Sequence, residues 1–257
     1  MTDLSALETP ALAIDLDIVS ANIALQQGRA DAAGVRLRPH AKTVKSPEIA
    51  RMQIAAGAAG ICCAKLSEAV VMVDGGITDV LVTTPVVGER KIERLAELAA
   101  RGRIGVVVDD AHNAAAIAAA ARRTGAPLKL FAELDVGQRR TGVAGPQELA
   151  SLARTVEGLE GVALGGMQAY NGAIQFIHAA EERAAAARAV AEAIAAARQT
   201  CAAYGVALPL ITGGGTGTAP FDLELREIDE LQSGSYIYMD GQYLGVEWPR
   251  EAPPPRP

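Results

Sequence analysis

The chain is short of cysteine, has no excess of basic charge and contains no long apolar run, and each shortage removes a class of function. Cys62, Cys63 and Cys201 cannot all pair and two of them are adjacent, so no disulfide framework is implied and a cytoplasmic location is expected. With 24 Lys and Arg against 30 Asp and Glu, the formal net charge is -6 and no basic stripe rises above the background. That balance argues against a nucleic-acid partner and for a small-molecule substrate. No segment approaches the roughly 18 apolar residues of a membrane span. Met1-Thr2-Asp3-Leu4 has neither the basic segment nor the apolar stretch of an export signal, so no membrane partner is expected. What remains is 257 residues, half of them apolar, which suffice for one large soluble domain and at most a fragment of a second. The alanine runs at 114–121 and 184–197 read as solvated outer helices rather than low-complexity disorder.

Short β-branched runs alternate with longer helical patterns from end to end, the pattern of a parallel sheet wrapped by helices. A first strand is expected at Ala11–Asp15, followed by a helix from Leu16 to Ala33. Eight more strands are expected at 35–39, 60–64, 80–83, 104–108, 128–134, 163–168, 208–212 and 235–239. Helices fall between them, among them 47–56, 66–74, 177–204 and a short one at 222–229. Eight strand-helix units in this length fit a TIM (β/α)8 barrel, usually of roughly 250 residues, with a doubly wound open sheet as the competing architecture. The domain reading is an N-terminal strand and helix over 1–34, a barrel over 35–245 and a disordered Pro-rich tail over 246–257.

In a TIM barrel the chemistry lies at the C-terminal ends of the strands. After the first barrel strand comes Arg38-Pro39-His40-Ala41-Lys42-Thr43, in which prolines stiffen the backbone around a lysine. A lysine held there can serve as a Schiff-base nucleophile, because burial and a neighbouring cation lower its pKa; the plainer alternative is a basic strand end facing water. After the fifth strand, Asp135-Val136-Gly137-Gln138-Arg139-Arg140-Thr141-Gly142 offers an arginine on a glycine-bounded loop, or an ordinary turn. After the sixth, Gln168-Ala169-Tyr170-Asn171-Gly172 groups hydrogen-bonding side chains. After the seventh, Thr212-Gly213-Gly214-Gly215-Thr216-Gly217-Thr218 exposes backbone N–H groups ahead of a short helix, as a phosphate cradle does, the alternative being a flexible loop. It matches neither the Walker pattern nor a dinucleotide fingerprint. A lysine, an arginine and a phosphate cradle on three strand ends fit pyridoxal 5'-phosphate, bound as an imine.

These motifs, with Gly60-Ile61-Cys62-Cys63-Ala64-Lys65 and Val86-Val87-Gly88-Glu89-Arg90-Lys91-Ile92, resemble in content and order the D-threonine aldolase family, which includes 3-hydroxy-D-aspartate aldolases and D-serine dehydratases. The resemblance runs from about Glu8 to Tyr243. It implies a fold-type III pyridoxal-phosphate lyase, with an alanine-racemase-like barrel followed by a β-domain, working as a homodimer on small D-amino acids. Lys42 matches the Schiff-base lysine and Arg140 the arginine near the cofactor ring. Gln168 and Tyr170 match cofactor contacts, Gly213, Gly214, Gly215 and Thr216 the phosphate loop, and Tyr238 the final barrel contact.

The departures are equally specific. Asn171 and Phe176 stand where many relatives carry histidine, and Thr141 where a cysteine is usual. The family's β-domain supplies a His-x-Cys pair for a divalent metal (Mn, Mg or Zn), and no His or Cys follows Cys201, so no metal ligand is assigned and only a remnant of the second domain is expected. The expected activity is retro-aldol cleavage of a D-3-hydroxy-amino acid to glycine and an aldehyde, impaired by the missing ligands. The alternatives are a D-serine dehydratase-like lyase and a non-catalytic barrel that binds the cofactor.

Overall fold

The computed structural model describes residues 7–257; the opening residues read above for an export signal lie outside them. Eight parallel strands form one sheet: β1 (Arg36–Leu37), β2 (Ile61–Cys63), β3 (Asp79–Val82), β4 (Arg103–Val108), β5 (Leu128–Leu134), β6 (Val162–Ala169), β7 (Ile211–Gly213) and β8 (Glu230–Leu231). From β2 to β8 each strand pairs with its sequence neighbour, and β1 pairs with β8. The ring closes between β1 and β2 through Cys62 N–H to Pro39 O at 2.8 Å and Ala41 N–H to Cys62 O at 2.7 Å. This is the (β/α)8 barrel expected from the alternation, and closure excludes the open sheet. No helix among the described residues is long and apolar enough to cross a membrane.

The outer helices are α1 (Leu16–Ala33), α2 (Pro47–Ala55), α3 (Leu66–Asp74), α4 (Glu89–Ala99), α5 (Ala111–Thr124), α6 (Pro146–Glu157), α7 (Ala180–Ala203) and α8 (Ala219–Leu225), with a last turn α9 (Gly241–Leu244). Their boundaries follow local chemistry. Asp15 caps α1 by accepting from Asp17 N–H and Ile18 N–H, and Gly34 ends it at φ 71°. Ser46 caps α2 with Pro47 in its first turn, and Asp110 caps α5, which ends at Gly125 with φ 64°. The alanine runs are less solvated than expected: Ala114, Ala118 and Ala121 of α5 are buried, as are Ala187, Ala191 and Ala197 of α7.

Two expected strands are corrected. Ala11–Asp15 forms no ladder; it is exposed coil, with Leu12 93% accessible, and its last residue is taken up as the α1 cap. The eighth strand is Glu230–Leu231, whereas Ser235–Ile237 of the expected strand is a 3-10 turn. A glutamate in a buried strand hides it from a hydrophobic pattern, and it is tolerated because Arg38 pairs with it. The short helix before it is also displaced, ending at Leu225 where Arg226 turns left-handed at φ 57°. The Pro-rich tail, expected to be disordered, lies along α1: the Asn22 side chain accepts from Arg256 N–H and donates to Arg256 O, and Arg29 donates to Pro253 O.

Three layers fill the barrel. At the floor, Arg38 donates to both carboxylate oxygens of Glu230, at 2.7 and 3.1 Å, and to Asp79 at 2.7 Å. Above it Phe131 packs with Cys62, Leu81 and Val107. The ring fits because its neighbours lack side chains: a Cβ at Gly165 would come within 2.5 Å of it and one at Gly105 within 2.9 Å. The β5–β6 register shifts beside Phe131, and Gly166 sustains φ 136° there. Higher still, buried Glu133, Gln168, Gln232, Thr212 and Thr83 form a polar layer under the mouth.

Candidate active site

The loop after β1 carries Lys42, and its shape is set by the histidine two residues earlier. Buried His40 donates from Nε2 to Thr83 Oγ1 at 3.0 Å, while Thr83 uses its own proton on Cys63 O at 3.2 Å. On the other side His40 Nδ1 accepts from Lys42 N–H at 3.3 Å. Both ring nitrogens are thereby committed to a neutral imidazole, and burial, reinforced by Lys42 and Arg140, lowers the His40 pKa to about 3. His40 is a brace for the lysine loop and has no lone pair left for proton transfer.

Lys42 Nζ lies 5.4 Å from the centre of the Tyr170 ring, and Arg140 Cζ lies 5.8 Å from the same centre. Neither cation forms an ion pair among the described residues. Lys42 opens to the space above the barrel, yet the surrounding protein desolvates it and, with the Arg140 charge, lowers its pKa. An amine with a lowered pKa is a stronger nucleophile at neutral pH because more of it is unprotonated. Two like charges share one phenol ring, and cation–π attraction offsets part of their repulsion. The Tyr170 hydroxyl leans over Gly172, where a Cβ would approach it to 3.2 Å.

The glycine loop stands beside this pair and is built by close packing. Gly214 is left-handed at φ 67°, and added Cβ atoms at Gly213, Gly215 and Gly217 would strike Ala169 O, Gln175 Oε1 and Gln175 O at 2.0, 2.5 and 2.0 Å. Gln175, in the 3-10 turn Ala173–Phe176, accepts from Gly217 N–H and Thr218 N–H at 3.0 and 3.2 Å. Thr218 Oγ1 donates to Asp222 at 2.6 Å, and burial pushes that carboxyl up to about 7. Thr216 Oγ1 accepts from Tyr236 N–H at 3.2 Å. Tyr243 is buried and packs against Phe176, the last residue of the turn that holds the glycine loop, with ring centroids 4.6 Å apart.

The expected site residues therefore divide. Lys42, Arg140 and Tyr170 converge at the mouth, with Gly214, Gly215 and Thr216 in the adjoining loop, and Gly213 ends β7. Gln168 lies beneath them: its amide nitrogen donates to Thr83 O at 3.0 Å and Glu133 Oε1 at 2.8 Å, and its oxygen accepts from Gln232 at 3.1 Å. With both amide hydrogens used inside the protein, Gln168 supports the site from below. Tyr238 is half-buried and packs against the cluster that includes Val19 and Ile23. His40, Gln175 and Tyr243 were not marked as site residues by the sequence reading. His40 alone carried a signal, since a histidine two residues before a constrained lysine can brace its backbone.

The donor set suits pyridoxal phosphate. It has an accessible amine with lowered pKa, a guanidinium over the same aromatic ring, and a glycine loop packed closely against Gln175 and against Ala169 at the end of the neighbouring strand. A divalent metal is not matched in this way: no group of three or more His, Cys, Asp or Glu side chains among the described residues could hold one.

A barrel with a lysine on its first strand end and a glycine loop on its seventh defines a class. The chain belongs to the alanine racemase N-terminal domain family, whose model matches residues 14–242. Within that class it is similar to the D-threonine aldolase of Arthrobacter sp, 44% identical over 245 residues that cover 95% of this chain and 65% of the relative. It is 38% identical to the 3-hydroxy-D-aspartate aldolase of Paracoccus denitrificans (strain Pd 1222) over 94% of this chain and 63% of that one. It is also 35% identical to the D-threo-3-hydroxyaspartate dehydratase of Delftia sp. (strain HT23), over 92% and 63%. The solved D-threonine aldolase from Filomicrobium marinum superposes with a TM-score of 0.94 at 39% identity, covering 95% of this chain and 66% of that structure. The chain thus spans 65% and 63% of the length of these two aldolases.

Proposed function

We propose that this chain holds pyridoxal 5'-phosphate on Lys42 and takes part in cleaving the Cα–Cβ bond of a small D-3-hydroxy-amino acid, giving glycine and an aldehyde. The observation that carries the reading is the pair of unpaired cations, Lys42 and Arg140, within 6 Å of the Tyr170 ring centre beside a glycine loop. When bound, the cofactor supplies an electron-withdrawing ring that stabilises negative charge at the amino-acid α-carbon. Lys42 would hold the cofactor through its aldehyde carbon, and its amine, once free, could carry a proton within the site. His40 keeps the Lys42 backbone oriented, Arg140 donates to the ring or to a substrate carboxylate, and the loop at Gly214 to Thr216 receives the phosphate. Glu133, Gln168 and Gln232 seal the space below and keep water from rising through the barrel. A homodimer belongs to the same proposal.

Borohydride reduction in the presence of pyridoxal phosphate tests it. Wild type should yield a stable adduct mapping to the Lys42 peptide, and Lys42→Ala should yield none. An equal adduct on Lys42→Ala would sink the assignment. The likeness to a dehydratase supports a second reading, elimination of the β-hydroxyl, and products separate the two: D-threonine giving glycine and acetaldehyde supports cleavage, whereas D-serine giving pyruvate supports elimination. Adduct formation without turnover of either leaves the chain a cofactor-binding barrel.

A further inference from the structure

Arg183, in the first turn of α7, is a fully buried side chain with no carboxylate within ion-pair distance among the described residues, the exposed Glu247 carboxylate attracting it from further off. Its guanidinium is satisfied entirely by backbone carbonyls. Nε donates to Gly217 O at 2.9 Å, one terminal nitrogen donates to Ile177 O at 2.5 Å and His178 O at 3.3 Å, and the other donates to Glu247 O. The rings of Phe221 and Trp248 lie 5.7 and 5.9 Å from its central carbon. Burying an unpaired charge is costly, and a solely structural tie between carbonyls could be made by a neutral donor.

The place of the charge gives it a use. Gly217 belongs to the glycine loop, and its N–H is held by Gln175, whose 3-10 turn runs directly into the Ile177 and His178 carbonyls that Arg183 also holds. Arg183 therefore ties both walls of the loop together and sets a full positive charge behind it. We propose that Arg183 is a positioning residue for an anionic phosphate on the glycine loop, holding Gly217 in place and stabilising the phosphate charge from the side the ligand does not touch. A low-dielectric interior transmits that attraction more strongly than water would. The inference rests on the reading that the loop receives the pyridoxal phosphate.

The test compares pyridoxal 5'-phosphate with pyridoxal, which forms the same bond to Lys42 but has no phosphate. Binding is followed by absorbance and by borohydride trapping on wild type, Arg183→Met and Arg183→Lys. Wild type should prefer the phosphorylated form, and Arg183→Met should lose about tenfold of that preference while binding pyridoxal unchanged. Arg183→Lys keeps the charge without the planar fork and should retain part of the preference. If Arg183→Met fails to fold, Arg183→Gln, which removes the charge but keeps hydrogen-bond donors, carries the comparison, and an unchanged preference in it overturns the proposal. An equal loss of affinity for both ligands also overturns it, since that marks a structural tie without an electrostatic role. Failure of the cofactor reading is separate and visible in wild type, which would then trap neither ligand on Lys42. The phosphate role is read in parallel from inorganic phosphate, which should raise the melting temperature of wild type more than that of either variant; equal shifts would count against Arg183.

Discussion

The two ends of the barrel hold cations in opposite ways. At the floor Arg38 is bracketed by Glu230 and Asp79, and the hydrogen-bonded Glu230 carboxylate raises its pKa despite burial. At the mouth Lys42 and Arg140 have no such partners, and desolvation together with the second cation lowers the lysine pKa. A paired charge stabilises the fold and is chemically inert, whereas an unpaired one waits for a ligand. That the contrast coincides with strand polarity agrees with the general rule for TIM barrels, in which the N-terminal face serves stability and the C-terminal face reaction.

Substitutions at the two ends should separate these roles. Glu230→Ala leaves Arg38 buried beside a single remaining carboxylate and should cost about 3–5 kcal/mol, read as a lower urea midpoint. Its folded fraction should still trap pyridoxal phosphate on Lys42. Lys42→Ala should do the reverse, losing all trapping while the urea midpoint stays within about 0.5 kcal/mol of wild type. A floor variant that folds as stably as wild type would break the comparison.

Acid sensitivity should come next in size, through the brace at His40. Its folded pKa of about 3 lies below the ordinary 6.5, so the unfolded chain binds the proton that the folded chain refuses. Stability from this group is complete above about pH 6.5 and falls by about 1.4 kcal/mol per unit as the pH drops towards 3. His40→Asn should flatten that part of a stability profile measured by denaturant titration; an equally steep slope would assign the acid limb to other groups.

The smallest effect should come from Arg140. Removing its charge takes away one cause of the lowered Lys42 pKa, so the pKa should rise and less free amine be present at neutral pH. Arg140→Ala should therefore slow trapping severalfold at pH 7 and shift the rate profile to higher pH. A profile that stays in place would separate the two cations.

Much of the architecture was legible because its causes are local. The runs at 104–108 and 128–134, expected as strands, form β4 and β5, and the helix expected from Pro47 begins there. The mouth was half legible: Lys42, Arg140, Tyr170 and the glycine loop carried motif signals, while Gln175 and Arg183 sit in helical turns where nothing distinguishes them from surface residues. Ala11–Asp15 misled because alternation indicates a strand only when a ladder partner exists.

By itself the sequence determined the strand-helix repeat and the glycine loop, since each depends on residues a few positions apart. The tertiary structure alone decided that Glu230 opens the eighth strand, that the Gln168 amide is held by Thr83, Glu133 and Gln232, and that Arg183 stands behind the loop. Those outcomes depend on distant partners: Arg38 and Glu230 are 192 residues apart. Whether a charged side chain is a surface ornament, a floor or a counter-charge is settled only when the chain closes and brings its partner to it.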